Sequence, residues 1–485
     1  MLNSVEESPL HKITNARSIA FYGASNRPST MGSIILASIL TAGYKGELYP
    51  IHPKDESIKG LKSYRQVGDL PEVPDLVMMV LPTGVVCQSL EECGKKGIKR
   101  AVVVSGGFKE VGGDGIQLEK ELLEIGKRYG IRIIGPNCLG IANPYNNLNS
   151  TPLTMEGDPG YIGLVSQSGS FVAQMFNYLY RLRLGFSTAF SVGNEVDVDM
   201  IDCMEYLAVC PHTKVIALYI EGVKRGRRFL EAAKRISKIK PIVALYVGGS
   251  EAGKKAAFSH TGSLSGPDQL YDGLMAQCGI TRAYSLTELF DLSWALGALP
   301  KPNGNRVAIQ THSGGPGATA ADSCSREGLV LPSLSDETRK KLMPFLPHTA
   351  SAANPVDLTF TQNPKEYFSD IPGVLLKDET LDFLLIYILI PENSIRTQMV
   401  DAGMTEEQAE KSLGKMAEFV AKSFIEMQQN AGKPIIGFTY RSLQEKLVQG
   451  LMKQGIPIYQ DPARAVRAMK AVVDYHQYKD QRATA

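Results

Sequence analysis

His260 stands in the run KKAAFSHTGSLSGPD, residues 254–268, where small, polar and glycine residues leave no apolar stripe for a buried helix. An imidazole titrating near neutrality in such a loop is a usable nucleophile. A lone histidine is more often a hydrogen-bonded structural residue, so the rest of the chain must carry the argument. The second chemistry-bearing feature is a small-residue turn between a strand and a helix. Free N–H groups of the first helical turn and the positive end of the helix dipole make such a turn a seat for phosphate. Three occur: Gly23-Ala24-Ser25 after SIAFY, Ser166-Gln167-Ser168-Gly169 after YIGLV, and Ser313-Gly314-Gly315-Pro316-Gly317 after RVAIQTH. The first is not the full GxGxxG fingerprint, and the third lacks the GKS/T ending of a P-loop. Taken alone, the first is as readily a tight structural turn and the second a plain N-cap. The third is either structural or part of a subunit contact.

The elements that would hold these turns alternate. Apolar runs at 76–81, 101–104, 215–220, 242–246 and 381–390 are separated by amphipathic segments, the pattern of parallel, doubly wound α/β sheets. Three strand–turn–helix openings imply three such domains. Pro, Gly and Asn cluster at 143–160 and 298–306, which sets expected domains at residues 1–150, 155–300 and 304–485. In the first, LYPIHPK leads to Lys54, LPT contains Pro82, SGGF contains Ser105 and Gly106, and GPNCLG contains Asn137. All of these are read as strand ends of one sheet, where open α/β folds bind ligands.

Composition narrows the class. The 485 residues are 44% apolar and 21% charged, close to the globular average, and 52 basic against 50 acidic residues are mixed along the chain. That argues against a polyanion-binding surface and leaves room for a pocket taking one small anion. Seven cysteines, odd in number and without CxxC or Cys/His spacing, fit reduced thiols in a cytoplasm and no metal site. The N-terminus has no apolar core, and no run approaches the ~20 residues of a membrane span.

In order, GAS at 23–25, HPK at 52–54, SGGFKEVG at 105–112 and GPNCLGI at 135–141 resemble the CoA-binding domain of the NDP-forming acyl-CoA synthetases, relatives of the succinyl-CoA synthetase α subunit. The resemblance continues through GLVSQSG, SVGNEVDVD, YIEGV, SHTGSLSG, THSGGPG and NPVDLT and covers nearly the whole chain. It implies an N-terminal Rossmann-like CoA-binding domain followed by two flavodoxin-like ligase domains. It also implies a reaction in which carboxylate, CoA and ATP or GTP give acyl-CoA, the nucleoside diphosphate and phosphate. His260 would carry the phosphoryl group, Glu221 would contact its imidazole, and Ser166, Gln167, Ser168 and Gly169 would cradle the phosphate. Gly23, Ala24, Ser25, Lys54, Pro82, Ser105, Gly106 and Asn137 would hold CoA. The nucleotide and its Mg²⁺ would be bound mainly by an ATP-grasp β subunit, in an α₂β₂ assembly. Glu205 is the weaker rival to Glu221, because its position reads as helical surface. Cys138 is read either as a neighbour of the CoA thiol or as a buried small residue, and is given no catalytic role. The family often has a basic residue where this chain has Glu195; if that position lines the acyl site, substrate preference differs. The rival reading is a non-catalytic CoA-binding or regulatory module.

Overall fold

The computed structural model describes residues 2–251, 253, 266–359, 363–389 and 392–483; His260 lies outside them. By its contacts the chain divides into two compact units, Met1–Leu289 and Phe290–Ala485.

Unit 1 begins with β1 (Ser18–Tyr22) and β2 (Glu47–Ile51), followed by a small hairpin of β3 (Ser57–Ile58) and β4 (Leu61–Lys62). Then come β5 (Leu76–Met79), β6 (Arg100–Val103) and β7 (Arg132–Ile134). These form a parallel sheet in the order β2-β1-β5-β6-β7. Every residue of β1 and β5 is buried, as unbroken apolar strands covered on both faces should be. Past β7 the chain leaves this sheet, and β8 (Ile141–Asn143) and β9 (Leu148–Asn149) join the next one. That sheet contains β10 (Ile162–Ser166), β11 (Phe186–Ser191), β12 (Val215–Ile220), β13 (Ile242–Tyr246) and β14 (Ile280–Ala283), in the order β14-β13-β12-β10-β11-β8-β9. Its first five members are parallel, and β8 pairs antiparallel with β11.

The two sheets share one core. An unbroken apolar cluster runs from Ile19 and Phe21 through Ile134 and Ile141 to Val165, Phe190, Ile242 and Ile280, each at most 6% exposed. Each such side chain contributes about 1.5–3 kcal/mol on burial. Polar ties add to it: Arg132 donates from Nε to Asp197 at 2.8 Å and from Nη2 to Asp202 at 3.1 Å, and Thr14 Oγ1 donates to Tyr206 Oη at 2.9 Å.

Unit 2 holds β15 (Val307–Thr311), β16 (Val356–Asp357), β17 (Phe383–Tyr387), β18 (Ile435–Phe438) and β19 (Ile458–Tyr459), in the parallel order β16-β15-β17-β18-β19. Numbered by its own parallel strands, each of the three sheets therefore reads 2-1-3-4-5, and each reverses direction between its first and third strands. Ligands of doubly wound sheets bind at that reversal. The SGGPG segment opens the helix Gly314–Arg326 at the third such point. Within this unit Asp291 takes two hydrogen bonds from Arg464, at 2.7 and 2.8 Å. Among the described residues no helix is long and apolar enough to cross a membrane.

His312, at the end of β15, stacks on Tyr367 with centroids 3.8 Å apart and is 7% exposed. Burial lowers its pKa to about 4, although a hydrogen bond to Leu389 and the charge of Asp357 work against that. The folded chain keeps this imidazole neutral while the unfolded chain protonates it near pH 6.5. Between those values the unfolded state holds the extra proton, so stability falls as the pH falls. The expected loss from pH 6.5 to pH 4 is at most about 3 kcal/mol. Denaturant melts of the wild type and His312→Phe, which keeps the stack and removes the titration, should differ in slope over that window; parallel slopes would refute the assignment.

Candidate active site

The first sheet reverses between β1 and β5, and the backbone there is tightly packed. Gly23 has φ +95°, and a Cβ on it would lie 1.9 Å from Val80 O. The helix Met31–Thr41 lies against the same turn: a Cβ on Gly32 would sit 2.2 Å from Gly23 O. Ser25 closes the turn by donating its N–H to Ser33 Oγ at 2.9 Å and accepting Ser33 Oγ–H at its carbonyl at 2.7 Å. After β5, Ser105 Oγ accepts Leu81 N–H at 3.0 Å, and Thr83 Oγ1 donates to Gly106 O at 2.5 Å.

The second sheet reverses between β10 and β12. Ser166 is fully buried and shapes the turn, its Oγ donating to Ser168 O at 2.8 Å and accepting from Ser168 N at 3.1 Å. The helix Gly169–Arg181 starts here without a side-chain cap from Ser168, which leaves its first N–H groups for an anion. A Cβ on Gly169 would come within 2.9 Å of Leu139 Cγ, so only glycine lets the GPNCLG loop rest on this helix start. Across the reversal, Gln167 Oε1 accepts from Glu221 N at 2.6 Å and Gly222 N at 3.1 Å. Glu221 is 8% exposed. Glu205, by contrast, pairs with Arg235 at 2.8 Å.

The two reversal points face a common cavity of about 830 Å³. Ser105, Gly106 and Asn137 line it from the first sheet, and Gln167, Ser168, Gly169 and Glu221 from the second. Gly23, Ala24, Ser25, Lys54, Pro82 and Ser166 are not among its lining residues. Ala24 is buried beneath the turn, Lys54 is exposed, and Pro82 precedes the helix Thr83–Lys96. Cys138 lines the wall but is 2% exposed, and burial pushes its thiol up to about 12, so it is no nucleophile at neutral pH.

Sequence reasoning passed over Lys109, Asn194 and Lys224, which also line the cavity. Lys224 follows the YIEGV motif directly, and that adjacency was the available signal. Its Nζ donates to the carbonyls of Asn194 and, at 3.3 Å, Glu195. Desolvation lowers its pKa, while burial raises that of Glu195 against the opposing charge of Lys224. Lys109 and Lys224 are both exposed to solvent and place two positive charges on the cavity wall.

Sheets that reverse in the same way, with an uncapped helix end and a buried glutamate lining one cavity with the glycine loops, define a doubly wound α/β chain with a shared site in its first unit. Residues 17–144 match the family model described as a CoA binding domain, and residues 159–296 the one described as a succinyl-CoA ligase like flavodoxin domain. The acetate–CoA ligase [ADP-forming] II subunit alpha of Pyrococcus furiosus is 40% identical over 460 residues, 95% of this chain and 96% of that protein. The acetate–CoA ligase [ADP-forming] of Methanocaldococcus jannaschii is 42% identical over 73% of this chain and only 50% of its own length. The structure of an acetyl-coenzyme A synthetase from Ca. Korarchaeum cryptofilum in complex with phosphate and ADP superposes with a TM-score of 0.86 at 33% identity, covering 98% of this chain and 99% of that one. The chain belongs to the ADP-forming acyl-CoA ligase family. Relatives aligned over its length are ligases, and a non-catalytic module is not favoured.

Proposed function

We propose that this chain is the α subunit of an ADP-forming acyl-CoA ligase, acting in the cytoplasm and relaying a phosphoryl group through His260. The observation that carries the reading is the shared cavity, which the helix start at Gly169 and Glu221 line together with Ser105, Gly106 and Asn137. Overall, carboxylate, CoA and ATP or GTP give acyl-CoA, the nucleoside diphosphate and phosphate, reversibly. Mg²⁺ and the nucleotide are held by an ATP-grasp β subunit in an α₂β₂ assembly, where the metal shields charge on the transferring group.

The work of this chain is local. The imidazole of His260 takes the phosphoryl group, and Glu221 fixes its tautomer and stabilises the cationic ring. The N–H of Gly169, with the Ser168 hydroxyl, donates to the phosphate oxygens. Lys109 and Lys224 offset negative charge in the cavity; the carboxylate takes the phosphoryl group from His260 to give an acyl phosphate, and the loops of the first sheet present the CoA thiol, which displaces phosphate to give acyl-CoA. The fit to an adenylated thiol ligand rests on Gly106 and Gly193, which line the cavity: a Cβ on Gly193 would lie 2.3 Å from Pro136 O, so glycine there lets its turn close on the loop of the first sheet.

The test is to incubate the chain with its ATP-grasp partner and either MgATP or acyl-CoA plus phosphate. An acid-labile, base-stable phosphoryl group on the peptide bearing His260 is expected. Its absence while turnover proceeds would exclude the relay.

A further inference from the structure

Between the two halves of the cavity lies the turn Gly193-Asn194-Glu195. It rests on the first sheet's last loop: Asn194 N donates to Pro136 O at 2.9 Å and Val196 N to Gly135 O at 3.1 Å. Asn194 Nδ2 donates to Glu110 Oε2 at 2.6 Å and Glu119 Oε2 at 2.8 Å, and its Oδ1 accepts from Asn137 Nδ2 at 3.3 Å. Glu110 in turn takes Gly107 N at 2.5 Å. Thus Asn194 is tied to the loops that would hold CoA.

Glu195 faces the other way. It is 8% exposed and adopts φ +49°, a left-handed conformation uncommon for a residue with a side chain. Its Oε1 accepts Met200 N at 2.9 Å and its Oε2 accepts Gln167 Nε2 at 3.0 Å. The orientation of the Gln167 amide follows from its partners. Two backbone N–H groups, of Glu221 and Gly222, require oxygen on one side. A carboxylate and the Gly222 carbonyl, at 2.8 Å, require nitrogen on the other. If Glu195 turned away, that orientation would lose its charged partner.

We infer that Glu195 and Gln167 are positioning residues: Glu195 holds the Gln167 amide in one orientation, and Gln167 thereby fixes the loop bearing Glu221 against the phosphate-binding helix start. The inference rests on the phosphohistidine reading. A strained backbone kept at Glu195 is what a required side-chain direction would demand. Because Asn194 is bonded to the CoA side, the same turn joins the two halves of the site. Misplacement of a catalytic group by about 1 Å costs ~10²-fold in rate.

The test uses the full chain with its ATP-grasp partner and three variants: Gln167→Glu, Glu195→Gln and the double variant. In Gln167→Glu, two carboxylates face each other; in Glu195→Gln, an amide opposes an amide. The double variant restores one donor facing one acceptor and keeps the net charge, at the cost of opposing the Gly222 carbonyl. Each single variant is expected to slow phosphorylation of the chain by roughly 10- to 10²-fold, with CoA affinity by calorimetry within about twofold of wild type. The double variant is expected to be faster than either single one. Single variants within about twofold of wild type, or a double variant showing the product of both losses, would overturn the positioning roles. A fall in CoA affinity matching the fall in rate would overturn them too, as general unfolding. Wild-type enzyme that turns over without a phosphoryl group on His260 would instead remove the reading underneath.

Discussion

Alanine at position 260 is expected to abolish turnover while leaving CoA binding nearly unchanged. The proposed relay is covalent, so removing the imidazole removes the route and not merely one contact along it. Losses of at least ~10⁴-fold are the rule when a nucleophile of this kind is deleted. The residues proposed for CoA lie on the first sheet, whereas His260 follows β13 in the second. The two effects should therefore separate: a rate assay falls to background, and a CoA titration by calorimetry gives the wild-type isotherm. Residual full activity would sink the relay role. Loss of CoA binding in the same variant would show that the loop also contributes to that site.

The second large effect is expected from Gly23→Ala. A methyl group there would stand 1.9 Å from Val80 O, and Val80 is held against the same segment because its N–H donates to Tyr22 O at 3.1 Å. Neither strand can retreat without opening the β1–β5 ladder. The backbone at φ +95° adds about 1–3 kcal/mol for a residue with a side chain, and overpacking about 1–3 kcal/mol more. Gly43→Ala separates the two contributions. Gly43 has φ +80° with nothing within 4 Å of its Cβ position, so it carries only the backbone part. Melts should rank Gly23→Ala below Gly43→Ala, and only the former should weaken CoA binding, by about tenfold or more. Equal CoA affinities in wild type and Gly23→Ala would remove the first turn from the CoA site.

Much of this was readable from residue order. The run at 215–220 is β12 and that at 242–246 is β13, because buried parallel strands need continuous apolar stretches and so announce themselves. The three small-residue turns follow the first strand of each sheet for a related reason: the helix start is packed too closely for a side chain, at Gly32 against Gly23, at Gly169 against Leu139 and at Gly317 against Thr311. Gln167 was legible as part of a phosphate loop, but its bridging bonds were not, since their partners are 28, 54 and 55 positions away. Glu195 stood out only as a departure from the family pattern, and its direction depends on a backbone angle that residue type does not reveal. The strands β8 and β9, three and two residues long, are too short for any periodicity. The stretch 143–160 read as linker therefore hides a strand.

Those two strands decide how the molecule can be taken apart. The polypeptide leaving the CoA-type sheet finishes the other sheet before its own strands begin, so the first module carries its neighbour's border. Cutting after β7 would bare the outer border of β11, and unpaired strands of that kind recruit other chains. Cutting after β9 would leave a loose apolar tail on the excised piece. Any exchange of acyl-CoA chemistry between relatives, by recombination or at the bench, is therefore expected to move residues 1–289 as one inheritance.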